Sequence, residues 1–402
     1  MDIVVLATAD WDNPLWTNKQ HLASRWGALG HRVLYVESLG LRRPGLGRRD
    51  VSRMMRRLRR ANRTRQVQEG VWILSPLALP FHGSRLARVL NRRWLARLVR
   101  SCMRRLRMSD AVLWTYNPLA LDYLGDLEWN LIGYHCVDEL AGAPGMPVRV
   151  VQERERHLMA RCDVVVTSAA TLAEAKRPHA RRIEYFPNPA DFERFHAASD
   201  GSGYTPADLR FIPRPRIGFV GAVSDYKLDL DLLRDVFDRR RDWHLALVGP
   251  VGEGQPGTSL AVLRGLPNVH PLGPRPYEEV PDYLRGFDVC LLPNRLNEYT
   301  RHMFPLKFFE YLATGKPVAM TRLPALKEFW HLAYVAEPGD GSGMIDAIER
   351  ALAEPADAEV REARMMEARR HDWNAQAMRI IDLLLEIRTG SAVGTTRGRD
   401  DS

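Results

Sequence analysis

Apolar residues come in short runs at 3–7, 32–36, 72–74, 111–114, 131–134 and 164–167, separated by stretches in which they recur every three or four positions. Such alternation of buried strand and amphipathic helix is the rhythm of a parallel sheet covered on both faces. After residue 215 it restarts, with runs at 216–220, 244–248, 269–271, 289–292, 318–320 and 334–335. Between the halves, residues 198–215 are rich in glycine, proline and small polar side chains, as an interdomain linker is. The pattern predicts an α/β protein of two Rossmann-like domains facing a cleft.

Composition agrees with a large core: 402 residues exceed what one core fills, and 45% hydrophobic with 27% charged content is that of a globular protein. Cys102, Cys136, Cys162 and Cys290 are far apart with no Cys-x-x-Cys, which argues against a disulfide framework or a zinc site and fits a reducing cytoplasm. The N-terminus lacks a basic region ahead of its apolar run, so it reads as a first strand and not as a signal peptide. No apolar stretch reaches the length of a membrane span.

Charge changes the picture locally. Residues 42–107 hold twenty arginines against Asp50 and Glu69, a net +18, so with +9 for the whole chain the remainder carries −9. At 100° per residue, 85–107 places Arg92, Arg93, Arg97, Arg100, Arg104 and Arg107 on one side and Leu90, Trp94, Leu95, Leu98, Cys102 and Leu106 on the other. Two readings stand: a helix packed by its apolar side with solvated arginines, or a cationic face held at an anionic membrane. Nucleic acid is not expected as a partner, because the block lacks interleaved aromatic residues and any known binding module.

Residues 302–317, His-Met-Phe-Pro-Leu-Lys-Phe-Phe-Glu-Tyr-Leu-Ala-Thr-Gly-Lys-Pro, put a cation and a carboxylate one helical turn apart. With Pro305 opening the helix, Lys307 stands where free N–H groups attract phosphate, and Glu310 is placed to accept both hydroxyls of a ribose. Diphosphate and ribose are consecutive parts of a nucleotide-sugar. An exposed ion pair of the ordinary i,i+3 kind is the competing reading.

This segment resembles the donor-binding motif of GT-B glycosyltransferases, in particular the large retaining group with a Glu, any residue, Phe-Gly-Leu and a second Glu eight places after the first. Phe304, Leu306, Glu310, Ala313, Gly315, Lys316, Pro317 and Val318 fall in register, with His302 at the first acid and Pro305 at the glycine. Gly221 through Lys227 resembles the family's glycine-arginine, four residues, lysine element that grips the donor diphosphate, with Ala222 at the arginine. The resemblance implies that Lys227 and Lys307 balance the departing diphosphate without metal, and that Gly221, Gly249, Pro274, Arg275, His302, Phe304, Leu306 and Glu310 line the donor. Asp229 and Asp231 look like a metal-binding Asp-x-Asp but stand where a helix begins.

The resemblance brings His135 under the donor sugar and Asp138 beside it, the acid serving as base if the reaction inverts the anomeric centre. Trp11, Asn13, Asn18, Lys19 and Asn117 fall where this family receives acceptor, though a capped helix with packed tryptophans explains the first of them equally well. Residues 187–195 and 373–387 resemble the crossing between domains and the helix that returns to the first domain. Overall the resemblance points to bacterial enzymes of teichuronic-acid and other surface-polysaccharide assembly: a hexosyltransferase-like enzyme, retaining, that uses a nucleotide-sugar as substrate, needs no cofactor and modifies a glycan, lipid-linked or small-molecule acceptor. It is expected to be cytoplasmic, and peripheral on the inner face of the plasma membrane if the second reading of the arginine block holds. The expected boundaries are an acceptor domain at 1–200, a donor domain at 201–370, the returning helix at 371–388 and an unstructured tail at 389–402. A nucleotide-sugar epimerase of the same fold and a non-catalytic binding protein working through the arginine block remain as rivals. A dinucleotide-dependent oxidoreductase loses its signature, since the first strand leads to Thr8-Ala9-Asp10 with no G-x-G-x-x-G.

Overall fold

The computed structural model describes residues 1–13, 16–39, 62–77, 85–199, 203–252, 255, 257–355 and 359–396, the side chains of 85–88 and 391–396 apart. Of the arginine-rich stretch, 42–61 and 78–84 lie outside the described residues. The chain divides into two compact units, Met1–Phe186 with Asn374–Ser402, and Pro187–Trp373.

The first unit contains β1 (Asp2–Leu6), β2 (Arg32–Val36), β3 (Thr64–Gln68), β4 (Val71–Leu74), β5 (Val112–Thr115), β6 (Leu131–Cys136), β7 (Val164–Thr167) and β8 (Ile183–Tyr185). They form one sheet in the order β3-β4-β2-β1-β5-β6-β7-β8, parallel except for the antiparallel β3. Every residue of β1, β5 and β7 is buried, as strands covered on both faces require. Helices α1 (Asn18–Ala28), α2 (Arg85–Arg105), α3 (Val148–Met159) and α4 (Ala170–Lys176) are among the connections. Six of the eight strands were visible as apolar runs. The other two, β3 and β8, close the sheet at its edges, where half-exposed polar residues suffice.

The facing of α2 differs from the expected division. Its buried stripe is Asn91, Leu95, Ala96, Val99 and Cys102, whereas Leu90 and Trp94 are 48% and 46% exposed. Leu95, Val99 and Cys102, spaced i, i+4, i+7, make the stripe that packs inward; Leu90 and Trp94 lie beyond its edge, on the arginine side.

The second unit holds β9 (Arg216–Val220), β10 (His244–Val248), β11 (Val269–Gly273), β12 (Val289–Leu292), β13 (Val318–Thr321) and β14 (Tyr334–Ala336), all parallel in the order β11-β10-β9-β12-β13-β14. Around them are α5 (Leu230–Arg239), α6 (Lys307–Ala313), α7 (Gly341–Leu352) and α8 (Glu359–Arg370). Leu233, Phe237, Trp243, Ile345 and Ile348 belong to one apolar cluster with Ile217, Phe219 and Leu247 of the sheet.

In both sheets the strand order reverses beside the first strand, between β1 and β5 and between β9 and β12. Loops leaving the carboxyl edge at such a reversal diverge and open a crevice, where doubly wound sheets bind ligands.

The chain leaves the first unit at Phe186 and not at residue 200. Asn188 Nδ2 donates to Phe304 O at 2.7 Å, and Ala190 N donates to His371 O at 2.9 Å, so the segment after Pro187 already belongs to the second unit. Within the expected linker, Ala207–Arg210 forms a helical turn with Leu209 fully buried. The final helix, α9 (Trp373–Thr396), lies in the first unit from Asn374, with Trp26 Nε1 donating to Ala377 O at 3.1 Å. It runs past residue 389, where the tail was expected to begin, and Thr389 Oγ1 donates to Leu385 O and Glu386 O within it. Residues 397–402 lie outside the described residues.

Candidate active site

At the reversal in the second sheet, Val220 ends β9 and its N–H donates to Tyr311 Oη at 2.9 Å, which ties α6 to the strand end. The next residue, Gly221, has φ 141°, a backbone region open to glycine. A Cβ there would lie 2.6 Å from Lys307 Cε and 2.7 Å from its Nζ, so the lysine is laid directly against the glycine backbone. Lys307 Nζ also stands 5.3 Å from the centre of the Phe219 ring. Lys307 is the first residue of α6, and Pro305 precedes the N-cap Leu306 and is not within the first turn. Lacking an N–H, the proline contributes its carbonyl, which accepts Phe308 N–H at 3.0 Å and starts the turn.

One turn further on, Glu310 Oε1 accepts the hydroxyl of Tyr277 at 3.0 Å. Tyr277 comes from the turn that follows β11, and its ring lies 5.2 Å from the guanidinium of Arg194, itself paired to Asp191 at 3.2 Å. Desolvation raises the Glu310 carboxyl to about 7, against the lowering effect of Lys307 and of the Tyr277 hydrogen bond, with Asp191 adding to the rise. The half-buried acid is therefore poised, ready to gain from hydroxyl donors.

Lys227 ends the loop that Gly221 begins. Its Nζ lies 5.3 Å from the ring centres of both Tyr226 and Tyr299, a cation between two aromatic faces. The segment after β12 holds this loop in place: Asn294 Nδ2 and Arg295 N donate to Lys227 O at 3.1 and 3.0 Å, and Asn297 Nδ2 donates to Tyr226 O at 2.6 Å. Asn297 Oδ1 in turn accepts the N–H groups of Tyr299 and Thr300, both at 3.0 Å. Beside it, Gly249 has φ 145°, and a Cβ there would fall 2.0 Å from Gly221 O. Asp229 caps α5 by accepting Leu232 N–H at 3.1 Å, and Asp231 pairs with Arg295 at 2.9 Å.

Several expected donor contacts point elsewhere. Arg275 donates through Nε to Tyr283 Oη and through Nη2 to Asp208 Oδ2, each at 2.5 Å, and through Nη1 to Pro274 O at 2.9 Å, so its cation is consumed within the fold. Phe304 is 2% exposed and packs on Phe308, Phe309 and Phe329; being apolar and one turn ahead of α6, it serves the core. His302 closes the short turn Thr300–His302 and is half-buried, as Leu306 is.

In the first unit, Lys19 in the first turn of α1, Tyr116 just past β5 and His135 in β6 come together. Lys19 Nζ is 5.3 Å from the Tyr116 ring centre, and that ring lies 5.1 Å from the His135 ring. His135 is fully buried, and neither ring nitrogen has a hydrogen-bond partner among the described residues. Desolvation, helped by the Lys19 charge, lowers its pKa to about 3, which leaves a neutral imidazole. Asp138 is half-buried two residues past the end of β6.

Trp11 is only 7% exposed, packs on Trp16 and Tyr35, and donates its backbone N–H to Glu37 Oε1 at 2.8 Å, which makes it part of the core. Asn13 N donates to Asp10 O at 3.2 Å in the same loop. Asn18 is 3% exposed with its carbonyl accepting Tyr116 Oη, while Asn117 Oδ1 accepts Leu119 N–H at 2.9 Å and shapes the turn after β5. Short polar side chains next to a strand end favour such local bonds. Tyr277, Asn297 and Glu37 were not singled out from sequence; each acts through a partner distant along the chain, and no local spacing marks it.

The chain is similar to known proteins in sequence and in fold. Residues 214–354, about a third of the chain, match the family model of glycosyl transferases, group 1. The chain is 30% identical over 265 residues to TuaH of Bacillus subtilis (strain 168), a protein named for teichuronic acid biosynthesis glycosyltransferase activity, in a match spanning 61% of this chain and 64% of that relative's length. Sucrose-phosphate synthase of Thermosynechococcus elongatus superposes with a TM-score of 0.68 at 15% identity, covering 97% of this chain and 100% of the other. The fold is GT-B. Trehalose 6-phosphate synthase of Burkholderia multivorans gives 0.67 at 16% identity over 100% and 99% of the two chains. Anabaena Alr3699/HepE, solved in complex with UDP and glucose, gives 0.63 at 14% over 95% and 99%. The segment similar to the group 1 family contains β9 through β14 together with Gly221, Lys227, Lys307 and Glu310.

Proposed function

We propose that the protein is a glycosyltransferase that moves a sugar from a nucleotide-sugar bound by the second unit to a glycan or lipid-linked acceptor received by the first, in surface-polysaccharide synthesis. The observation that carries this reading is the meeting of Lys307 with Gly221 at the strand-order reversal, one helical turn from the Tyr277-oriented Glu310. The neighbour solved with UDP and glucose has the same fold and supports a uridine nucleotide as the first donor to try.

Glu310 then accepts the ribose hydroxyls, which compensates the desolvation that raises its pKa. Lys307 and Lys227 face the diphosphate. As the acceptor oxygen bonds to the anomeric carbon, the bond from that carbon to the phosphate oxygen breaks and the electron pair leaves on the diphosphate. Fixed cations at that point act most where charge develops, and removing one such group typically costs about 10²–10³ in turnover. The hydroxyl proton passes to the departing phosphate in the retaining reaction, which resemblance favours; Asp138 is the base if the anomeric centre inverts. Transfer without metal follows from the same assignment, and the engagement of Asp229 and Asp231 in a cap and an ion pair supports it. His135 stays neutral and holds its place by packing. The arginine-rich stretch 42–107 supplies positive charge for an anionic membrane surface, with the enzyme on the cytoplasmic side.

Thermal denaturation with a panel of nucleotide-sugars tests the proposal, since a ligand bound only to the folded state raises the melting temperature. One donor should stabilise the protein, and Glu310→Ala should lose that shift. A product assay with acceptor and chelator should then show transfer. Stabilisation by no nucleotide-sugar would overturn the reading, and an epimerised sugar without acceptor would replace it by the epimerase.

A further inference from the structure

The outward face of α2 combines two features that globular proteins seldom leave together. Val89, Leu90 and Trp94 are 41%, 48% and 46% exposed, and Arg93, Arg97 and Arg104 are exposed around them. Positions 90, 93, 94, 97, 101 and 104 follow i, i+3, i+4 spacing, so they form one stripe along the helix. Opposite that stripe, Leu95, Val99 and Cys102 are buried in the unit, which fixes which way the helix faces. Arginines on a buried-side face would need carboxylates. Among the described residues, the carboxylate that pairs with this helix is Asp126, taken by Arg92, which lies away from the stripe on the side of Val99.

An exposed tryptophan and leucine set among arginines match the boundary of an anionic bilayer, where an indole sits at headgroup depth and guanidinium groups meet phosphate. Solvated charge alone does not account for the apolar pair, and an ordinary apolar protein partner does not account for the arginines. We propose that this face of α2 docks on an anionic lipid surface, with Leu90 and Trp94 entering the interfacial layer and Arg93, Arg97 and Arg104 contacting lipid phosphates. Docking is therefore partly insertion, which distinguishes it from attraction by the diffuse charge of the whole arginine block. It rests on the transferase reading for its purpose, bringing the first unit to a lipid-linked acceptor, but its test does not depend on turnover.

The full-length protein is sedimented with phosphatidylcholine vesicles containing or lacking phosphatidylglycerol, at 50 mM and 500 mM NaCl. Charge attraction is screened at the higher salt, whereas inserted apolar groups are not. Wild type should sediment with anionic vesicles at both salts. Leu90→Ser/Trp94→Ser, changed only at exposed positions, should keep its melting temperature and its nucleotide-induced stabilisation, bind at low salt, and lose binding at least tenfold at high salt. Ten tryptophans share the emission, so the wild type minus Trp94→Phe difference spectrum should shift to the blue with anionic vesicles. Equal binding of the double variant and wild type at high salt would overturn the proposal. So would wild type remaining in the supernatant at low salt, or a self-associated form that the double variant abolishes without any vesicle binding. A wild type that binds vesicles yet is stabilised by no nucleotide-sugar would sink the transferase reading and leave the lipid surface standing.

Discussion

Tyr277 donates its hydroxyl to Glu310 Oε1 at 3.0 Å, joining the turn after β11 to the first turn of α6. The bond favours the ionised carboxylate while burial opposes it, and the balance leaves Glu310 near 7. Nucleotide affinity that depends on the carboxylate should therefore rise from pH 6 to pH 8. Tyr277→Phe removes the donor, pushes the carboxyl higher and moves that rise upward; affinity at pH 7 should fall roughly tenfold, the scale of a hydrogen bond to a charged group, and recover by pH 9. Calorimetric titrations across this range decide the matter. A loss equal at every pH would make Tyr277 a packing residue only.

The same carboxyl should cost the apo fold stability. Its folded pKa of about 7 lies above its ordinary value of 4.5, so between those values the native state holds a proton that the unfolded chain has released. By linkage, stability falls as pH rises through this window and stays low above it. Glu310→Gln cannot ionise. It should match wild type near pH 4.5 and exceed it at pH 8 by roughly 1–3 kcal/mol, while losing nucleotide-induced stabilisation. Denaturant melts at the two pH values check the sign; a variant less stable at pH 8 refutes it.

Gly221→Ala offers a way to move Lys307 without altering it. The added methyl would lie within 2.7 Å of the ammonium, at a φ of 141° that alanine rarely adopts. The lysine must swing away, and turnover should drop about as far as in Lys307→Ala, on the order of 10²-fold. Combining the two changes should cost little more than either alone, since both remove one interaction. Additive losses in steady-state kinetics would show that glycine and lysine act separately.

Which parts of this were legible in the sequence follows from how local each signal is. Twelve strands showed as apolar runs, the central ones because a strand buried on both faces must be apolar throughout; β3, Thr-Arg-Gln-Val-Gln, lies at an edge and carries no such mark. Lys307 and Glu310 were readable because helical periodicity alone puts them one turn apart. Phe304 and Arg275 were assigned to the donor by position, but burial among phenylalanines claims one and Asp208 with Tyr283 claims the other, and two of these contacts, Phe304 with Phe329 and Arg275 with Asp208, join residues far apart in the chain. The facing of α2 was half legible: helical spacing found two sides, and only packing within the folded unit chose Leu95 and Val99 over Leu90 and Trp94.

Lys176, at the end of α4, is buried between two acids, with Nζ 2.6 Å from Glu139 Oε2 and 2.7 Å from Glu155 Oε2. Glu155 Oε1 accepts Tyr134 Oη at 2.6 Å, so the network ties α3 and α4 to β6 and to the segment that follows His135 and Asp138. A lysine so placed repays its own desolvation only while both carboxylates remain, and removing it strands them. Lys176→Met should therefore cost roughly 3–5 kcal/mol, the scale for breaking a buried pair from one side. Adding Glu155→Gln should return part of that loss, because one of the two stranded charges is gone. Since Glu139 directly follows Asp138, the single variant that still folds should bind acceptor more weakly while its donor affinity is unchanged. Urea melts measure the first effect and separate donor and acceptor titrations the second; a Lys176→Met protein as stable as wild type would show that the buried charges find other partners.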